Sequence, residues 1–387
     1  MTTLNAHLLF EAGGSAITVI KEHNSNLYFA MQQGLIYQNN VGLFLNIQNR
    51  VYFIAGSEIG LLGLTFDPTN ALRFFLWYTE SPNIPPVGFD HINRLEEWQI
   101  IGGIPQSTTI LLRLPNPAPN HNGLNNIFYD TSINQLILAT GDGGNPALSQ
   151  NNNSLNGKLI SFDVDNVIWQ TMQNTNPITQ VSQLGVFSSV ITVISKGIRN
   201  PTRNDKKSVA GVGVNFLSSA GESTREFAFC FTTYNKNFGW EPFEGPIPTV
   251  SGTTVLYPTE VIQLLALNQR WLPIVSYANN SASGLPAGVI SGAACDGVDI
   301  YVSNNIPSLN NNLIILDLTT GLLNAPFPSF STEALLEISQ LVSKITVNGI
   351  PAGYYTSMYV TTSGLLLFVV NTTVSGELVT DVYYLTM

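Results

Sequence analysis

Charged side chains are scarce in this sequence. They make up 10% of its 387 residues, against about 25% in an average soluble protein. The formal net charge is −10, and only 15 residues are Lys or Arg. Nucleic-acid binding draws most of its affinity from clustered Lys and Arg, so the composition argues against an extended nucleic-acid surface. Solubility must come from amides and hydroxyls, as in the asparagine runs at 151–153 and 310–312.

Cysteines and long apolar runs are also few. The two cysteines, Cys230 and Cys295, are too few for a disulfide framework and lack a metal-site spacing, so both are interpreted as buried or free thiols. No stretch reaches the ~18 uninterrupted apolar residues of a membrane-spanning helix. The N-terminus lacks the basic and apolar regions of a secretion signal. We therefore expect no membrane segment and no secretion signal.

Short apolar runs rich in β-branched and aromatic residues recur along the whole chain, separated by Gly, Pro, Asn and Asp. Examples are 27–30, 51–54, 74–78, 110–114, 136–139, 227–231, 313–316, 365–370 and 382–385. This pattern is typical of many short strands joined by turns and predicts an all-β protein. One segment, 332–347, has apolar residues at a helical period and is predicted to be a helix.

Several segments share one plan, in which a strand, a Gly or Asn turn and a second strand follow one another. A four-stranded unit that recurs every 50 to 65 residues or so is typical of a β-propeller, and six such units fit this length. No linker rich in Pro, Gly or Ser divides the chain. We predict one domain over residues 1–387, a six-bladed β-propeller with four-stranded blades and Trp77, Tyr78 and Trp240 between the blades.

The stretch from His121 to Asp165 concentrates polar chemistry. It places one of four histidines, the carboxylate of Asp142 and a glycine-rich turn around two predicted strands. An imidazole beside a carboxylate is a common general base. From the residues alone, two interpretations of His121 fit equally well: a general base, or a loop histidine bonded to backbone. Asp142 is interpreted equally well as a residue that shapes the turn. Asp163 and Asp165 are interpreted as turn residues rather than metal ligands, and His91 as structural.

Six blocks follow one another along the chain: 27–36, 58–68, 90–95, the stretch 120–165, 197–201 and 237–245. In this order they resemble the signature blocks of the soluble quinoprotein glucose and sorbosone dehydrogenase family, which includes aldose sugar dehydrogenases and propellers like the hedgehog-interacting protein. The resemblance spans most of the chain. It implies a six-bladed propeller that holds pyrroloquinoline quinone (PQQ) and calcium at one end of its channel and oxidises a sugar or alcohol CH–OH group.

The resemblance also implies roles for single residues. His121 is expected to remove the hydroxyl proton while hydride passes to PQQ, and Asp142 to orient His121. Arg199 and Asn200 are expected to contact the quinone oxygens, and Glu58 to hydrogen-bond the substrate. The structural alternatives stay open: Arg199 and Asn200 shape a loop before a proline, and Glu58 accepts bonds from the amides of the turn at 60–63.

Two departures separate this sequence from the family pattern. PQQ carries three carboxylates, which a buried site should match with Lys or Arg, yet no Lys or Arg lies between Arg270 and Lys344. Gly211 stands where the family often has Asp, which leaves Glu226 as a lone candidate calcium ligand in that region. The segment 281–285 resembles a substrate-side loop of the aldose dehydrogenases.

Two functions of different classes follow. The first is a quinoprotein sugar dehydrogenase that acts on a small sugar or alcohol. The alternative is a propeller that has lost catalysis and serves as a structural, self-assembling or interaction protein, such as a component of a virus particle. Low charge lowers the repulsion between copies and so favours self-association. We expect a location in the cytoplasm or in a virion.

Overall fold

The computed structural model describes most of the first two thirds of the chain and parts of the last third. The described residues are 3–209, 212–222, 225–244, 247–248, 271, 273, 275–278, 290–295, 299–304, 313–317, 336–337, 343–344, 346–348, 354–374 and 377–386.

Almost all of the regular structure is β-strand. The strands are β1 Thr3–Gly13, β2 Ile17–His23, β3 Asn26–Met31, β4 Leu35–Gln38, β5 Gly42–Asn46, β6 Leu61–Phe66, β7 Arg73–Thr79, β8 His91–Ile101, β9 Ile104–Asn116, β10 Ile127–Asp130, β11 Gln135–Ala139, β12 Lys158–Phe162, β13 Ile191–Lys196 and β14 Asn200–Val209. They continue with β15 Val212–Ala220, β16 Arg225–Phe231, β17 Phe243–Glu244, β18 Ile247–Pro248, β19 Val275–Ala278, β20 Ile290–Cys295, β21 Asp299–Asn304, β22 Leu313–Asp317, β23 Leu336–Glu337, β24 Ser343–Lys344, β25 Thr346–Asn348, β26 Tyr354–Val360, β27 Leu366–Val374 and β28 Glu377–Thr386. The described helices are short: α1 Ala147–Gln150, α2 Ile168–Thr171 and the 3₁₀ helices Val181–Gln183 and Gly185–Ser189. The all-β prediction is confirmed.

The repeating element is an antiparallel unit of four strands. It occurs as the sheets β2-β3-β4-β5, β6-β7-β8-β9, β10-β11-β12-β13 and β20-β21-β22-β24. Two further sheets, β14-β15-β16-β19-β23 and β26-β27-β28-β1-β25, carry a fifth strand in parallel at one edge, and β17 and β18 form a two-stranded sheet. The predicted four-stranded blade is confirmed. In these two sheets the open edges of β1 and β19 each pair with one more short strand, β25 and β23 respectively.

The first strand of each four- or five-stranded sheet lies at the centre of the molecule. These central strands contact one another in the order β2, β6, β10, β14, β20, β26, and β26 contacts β2. The N-terminal strand β1 pairs with the C-terminal strand β28, so one sheet joins both ends of the chain. The fold is a β-propeller, and the space enclosed by its central strands is called the channel below.

The core lies between neighbouring sheets. Phe75 and Trp77 of β7 pack with Leu136 and Leu138 of β11 in one cluster. A second cluster joins the first two sheets and contains the fully buried Tyr78. Trp77 and Tyr78 are therefore core residues, as predicted. Because these clusters fix each sheet against the next, they also fix the loops at the ends of the central strands.

The predicted helix over 332–347 is wrong at its described residues. β23 pairs in parallel with β19, β24 pairs with β22, and β25 pairs in parallel with β1. Pairing with an existing sheet satisfies the backbone of such short segments, and this outweighs a helical spacing of apolar residues in the sequence. Within the described residues, no helix has the length and apolar character needed to cross a membrane.

Candidate active site

Five residues predicted from the sequence lie together at one end of the central strands. Glu58 comes shortly before β6, His121 before β10, Asp142 after β11, and Arg199 immediately before Asn200, the first residue of β14. The Glu58 carboxylate accepts the backbone N–H of His121 at 2.5 Å and the Asn200 amide at 3.1 Å and 3.2 Å. Loops that are distant in sequence therefore converge on one site.

His121 and Asp142 form a hydrogen-bonded pair. The Nδ1 atom of His121 lies 2.6 Å from Oδ1 of Asp142. The Asp142 side chain is completely buried, whereas 12% of the His121 side chain is exposed. A carboxylate accepts a hydrogen bond, so the pairing assigns the Nδ1 proton to His121 and leaves Nε2 as its proton acceptor. The pair has the geometry of a general base held by a buried carboxylate.

Three further contacts fix Asp142. The indole Nε1 of Trp240 donates to its Oδ2 at 2.7 Å, and the backbone N–H of Gly144 donates to its Oδ1 at 2.8 Å. The backbone N–H of Asp142 donates to the carbonyl of Arg199 at 2.7 Å. Trp240 is buried, as predicted for a core residue, but that interpretation missed its contact with the site. The indole N–H of a buried tryptophan usually finds a hydrogen-bond acceptor, and this was the signal that pointed to a polar partner of Trp240.

The glycine-rich turn allows the loops to approach closely. A Cβ atom on Gly141 would lie 1.9 Å from the carbonyl oxygen of His121 and 3.1 Å from that of Arg199. One on Gly143, where φ is +66°, would lie 2.2 Å from Oδ1 of Asn116. The glycines are therefore required by packing around the site as well as by turn geometry.

Arg199 presents an unsatisfied donor. Its guanidinium lies 5.3 Å from the ring centroid of Trp240, and its Nη1 donates to the carbonyl of Ala220 at 3.4 Å. Its Nε is buried and has no hydrogen-bond partner. Leaving a buried donor unsatisfied costs about 1–3 kcal/mol. An oxygen atom of a ligand beside Trp240 would remove that cost.

A buried amide network supports the His121 loop from behind. Oδ1 of Asn122 accepts hydrogen bonds from Nε2 of His91 at 2.6 Å, Nδ2 of Asn93 at 2.7 Å and Nδ2 of Asn116 at 2.6 Å. His91 is completely buried, in agreement with its predicted structural role. The sequence interpretation missed the network, because nothing in the sequence shows that these strands and loops meet.

Lys158 lies behind the Asp142 turn but does not offer a charge to a ligand. Its Nζ donates to the carbonyls of Leu148, Ser149 and Asn156 at 2.7, 2.9 and 2.8 Å. Burial lowers the pKa of Lys158 to about 7, with a smaller contribution from the charge of Lys196. The three carbonyls use all three N–H donors of the ammonium group. Lys158 therefore holds the loop that follows the glycine-rich turn.

Glu226, the predicted calcium ligand, lies in β16. Glu226 is completely buried, and its Oε2 accepts the backbone N–H of Gly221 at 3.3 Å. The part of the chain that the structure describes contains no group of three or more His, Cys, Asp or Glu residues that could hold a metal ion. Asp165 pairs with Arg73 at 2.5 Å, and Asp163 accepts from Asn166 at 3.1 Å, which agrees with their structural interpretation. Position 211 and the segment 281–285 lie outside the described residues.

No protein-family model matches the sequence, but solved structures match it over its whole length. The PQQ-bound aldose sugar dehydrogenase from Streptomyces coelicolor superposes with a TM-score of 0.64 at 15% identity, covering 100% of this chain and 99% of that one. A putative glucose dehydrogenase from Thermus thermophilus gives 0.64 at 17% identity, with 99% and 100% covered. The apo aldose sugar dehydrogenase from Escherichia coli gives 0.59 at 15% identity, with 99% of each covered.

The chain has the fold of these sugar dehydrogenases. The resemblance predicted from the six sequence blocks is thereby confirmed at the level of the fold.

Within this sugar dehydrogenase fold, Trp240→Phe is expected to lower the free energy of unfolding by about 1–3 kcal/mol. The variant keeps a flat ring near Arg199 but leaves Oδ2 of the buried Asp142 without its indole donor. Urea denaturation measures the change. Trp98→Phe is a matched control, because the indole N–H of Trp98 is buried and has no hydrogen-bond partner to lose. An equal decrease in the free energy of unfolding in the two variants would show that Trp240 only fills space.

Proposed function

We propose that this protein is a quinone-dependent dehydrogenase that oxidises a CH–OH group of a sugar or alcohol, built as one propeller domain over residues 1–387. The observation that carries the proposal is the 2.6 Å contact between Nδ1 of His121 and Oδ1 of the fully buried Asp142. Support also comes from the fold, which is shared with a PQQ-bound aldose sugar dehydrogenase.

His121 supplies the base of the proposed reaction. Its Nε2 accepts the proton of the substrate hydroxyl, and the imidazole becomes an imidazolium. Asp142 faces that imidazolium from a buried position, where its negative charge stabilises the new positive charge. The substrate carbon gives up a hydride as the C=O bond forms, so the substrate loses one proton and one hydride. A cyclic aldose oxidised at C1 thereby becomes a lactone.

Arg199 and Asn200 are the residues that fit a quinone. The buried Nε of Arg199 lacks a partner and is the kind of donor that a quinone oxygen accepts from. Asn200 is adjacent and buried. PQQ, when bound, would supply the hydride acceptor. Glu58, which is exposed, is proposed to accept a hydrogen bond from a hydroxyl of the substrate. Calcium, with Glu226 as a ligand, belongs to the proposal by resemblance alone.

The non-catalytic alternative is favoured by one observation, the shortage of cations. Arg199 is the one cation among the five converging residues, and the N–H donors of Lys158 are used by three carbonyls. No Lys or Arg occurs between Arg270 and Lys344. A site with this charge matches few of the PQQ carboxylates. A propeller that assembles with other copies or with other proteins is therefore the second candidate.

Titration with PQQ separates the two candidates. We expect a saturable shift of the quinone absorbance when PQQ and calcium are added to the purified protein, and dye reduction once an aldose is present. Arg199→Gln should weaken PQQ binding by about tenfold or more, since one charge-assisted hydrogen bond contributes about 1.5–3 kcal/mol. Lys196→Gln, in the β13 strand, is the control. Absence of binding by a natively folded protein that forms large regular assemblies would favour the alternative.

A further inference from the structure

A second group of charged side chains meets in the channel, away from His121. It consists of Lys21 on β2, Arg203, Asp205 and Lys207 on β14, and Tyr359 on β26, and is called the channel cluster below. In the circle of central strands, β14 lies opposite β2, and β20 separates β14 from β26. Side chains from these three strands can meet only within the channel.

The contacts show that they do meet. Nη1 of Arg203 donates to the carbonyl of Met358 on β26 at 2.6 Å, and the Arg203 guanidinium lies 5.5 Å from the ring centroid of Tyr359. Nζ of Lys207 lies 5.3 Å from the centroid of the same ring. Nζ of Lys21 reaches across to the carbonyl of Ile127 on β10 at 3.4 Å. Long cationic side chains therefore span the channel.

Positive charge exceeds negative charge in the channel cluster. Three cations share the single carboxylate of Asp205, which pairs with Nη2 of Arg203 at 2.6 Å.

Two other carboxylates lie on the central strands: Glu22, which borders the cluster at Tyr359, and Asp130 on β10. Glu22 accepts the backbone N–H and hydroxyl of Thr362 at 2.6 Å and 2.8 Å. Asp130 pairs with Lys206, which points away from the cluster. Even with Glu22 counted beside Asp205, three cations face two carboxylates, so the cluster keeps an excess of positive charge inside a chain of net charge −10.

Two of the three cations are buried. Lys21 is 6% exposed and Arg203 1% exposed, and Nε of Arg203 is a buried donor without a hydrogen-bond partner. Burial lowers the pKa of Lys21 to about 8, a change that Asp205 opposes and that Arg203 and Lys207 reinforce. A buried excess of charge is costly unless a counter-charge offsets it. Among the described side chains, Asp205 and Glu22 offset the charge of the three cations only in part.

We propose that the channel cluster binds a small oxyanion, such as a phosphate or carboxylate group, through Lys21, Arg203 and Lys207. The unpartnered Nε of Arg203 and the two ammonium groups are donors that form strong, charge-assisted hydrogen bonds with oxyanions. Lys207 is half-buried and lies seven residues beyond Asn200, about 23 Å along an extended strand. The anion would therefore enter from the end of the channel opposite His121, independently of the proposed dehydrogenase site.

Calorimetric titration of the dialysed protein with inorganic phosphate at pH 7 and fixed ionic strength tests the proposal. We expect one saturable site, and an affinity lowered by about tenfold or more in Lys21→Met and in Lys207→Gln, because each loses a charge-assisted bond. Lys206→Gln is the matched control: its side chain is on the same strand but faces Asp130 and Ser132. Its affinity should stay within about twofold of wild type.

A melting experiment provides a second readout. Phosphate should raise the Tm of the wild type and of Lys206→Gln progressively as its concentration exceeds the Kd, and should raise that of Lys207→Gln less. Lys207 is half-buried, so this variant keeps the test valid even if Lys21→Met fails to fold. Absence of heat and of a Tm shift up to about 10 mM phosphate would overturn the proposal. Equal phosphate affinity in the Lys207 and Lys206 variants would overturn it as well.

Discussion

Asp142→Asn is expected to lower kcat for sugar or alcohol oxidation by about 10²- to 10⁴-fold. The two oxygens of Asp142 accept from Nδ1 of His121, the N–H of Gly144 and Nε1 of Trp240. An asparagine has one oxygen and an NH₂ group. If that oxygen faces Trp240, the NH₂ group donates to His121 and moves the imidazole proton to Nε2. The base is then lost, and no carboxylate stabilises the imidazolium.

Steady-state dye reduction by the PQQ-loaded protein measures this effect. KM should change little, because Asp142 is buried behind His121 and acts on the imidazole. Asp163→Asn is the matched control, since the Asp163 carboxylate accepts from Asn166 in a turn after β12, and its kcat should stay within about twofold of wild type. A kcat above one tenth of the wild-type value in a folded Asp142→Asn protein would contradict the role given to the carboxylate.

Gly141→Ala is expected to damage both the fold and the site. The added methyl group would lie 1.9 Å from the carbonyl oxygen of His121, so the two loops must move apart. Overpacking of this kind costs about 1–3 kcal/mol. A displacement of the base by about 1 Å lowers catalysis by about 10²-fold. The change should therefore appear in urea denaturation and, more strongly, in kcat.

Gly13→Ala is the matched control for this substitution. Gly13 lies in β1, and a Cβ atom there would meet nothing within 4 Å. We expect its stability and kcat to stay close to those of the wild type. A Gly141→Ala protein with wild-type kcat would show that the loops separate without moving His121, and the proposed need for their close approach would be wrong.

Strand periodicity predicted most of the fold. Alternating apolar residues and Gly or Asn turns indicated the all-β class and the four-stranded unit, because those signals are local. The helix predicted over 332–347 was wrong, because described parts of this segment, such as β23 and β25, are strands that pair with β19 and β1. That pairing depends on where distant edges lie. The sequence does not show those positions.

The candidate site was predictable only in part, because the sequence shows local blocks but does not show which loops meet. His121, Asp142 and Asn200 stood in recognisable blocks, and the structure brings them together. Trp240 was interpreted as a core residue, because a sequence does not distinguish a tryptophan that only fills space from one that also donates a hydrogen bond to Asp142. The channel cluster could not be foreseen either, because Lys21 and Lys207 are far apart in the chain and meet only once the order of the central strands is known.

His121 is proposed to take a proton from the substrate while hydride leaves the same carbon. Rapid mixing of the PQQ-loaded protein with an aldose, followed through the quinone absorbance, tests it in a single turnover. We predict aldose-dependent quinone reduction by the wild type. In His121→Gln, reduction should be about 10²- to 10⁴-fold slower with PQQ binding unchanged. Quinone reduction at the wild-type rate in His121→Gln, or none in a wild type that binds PQQ, would contradict the account.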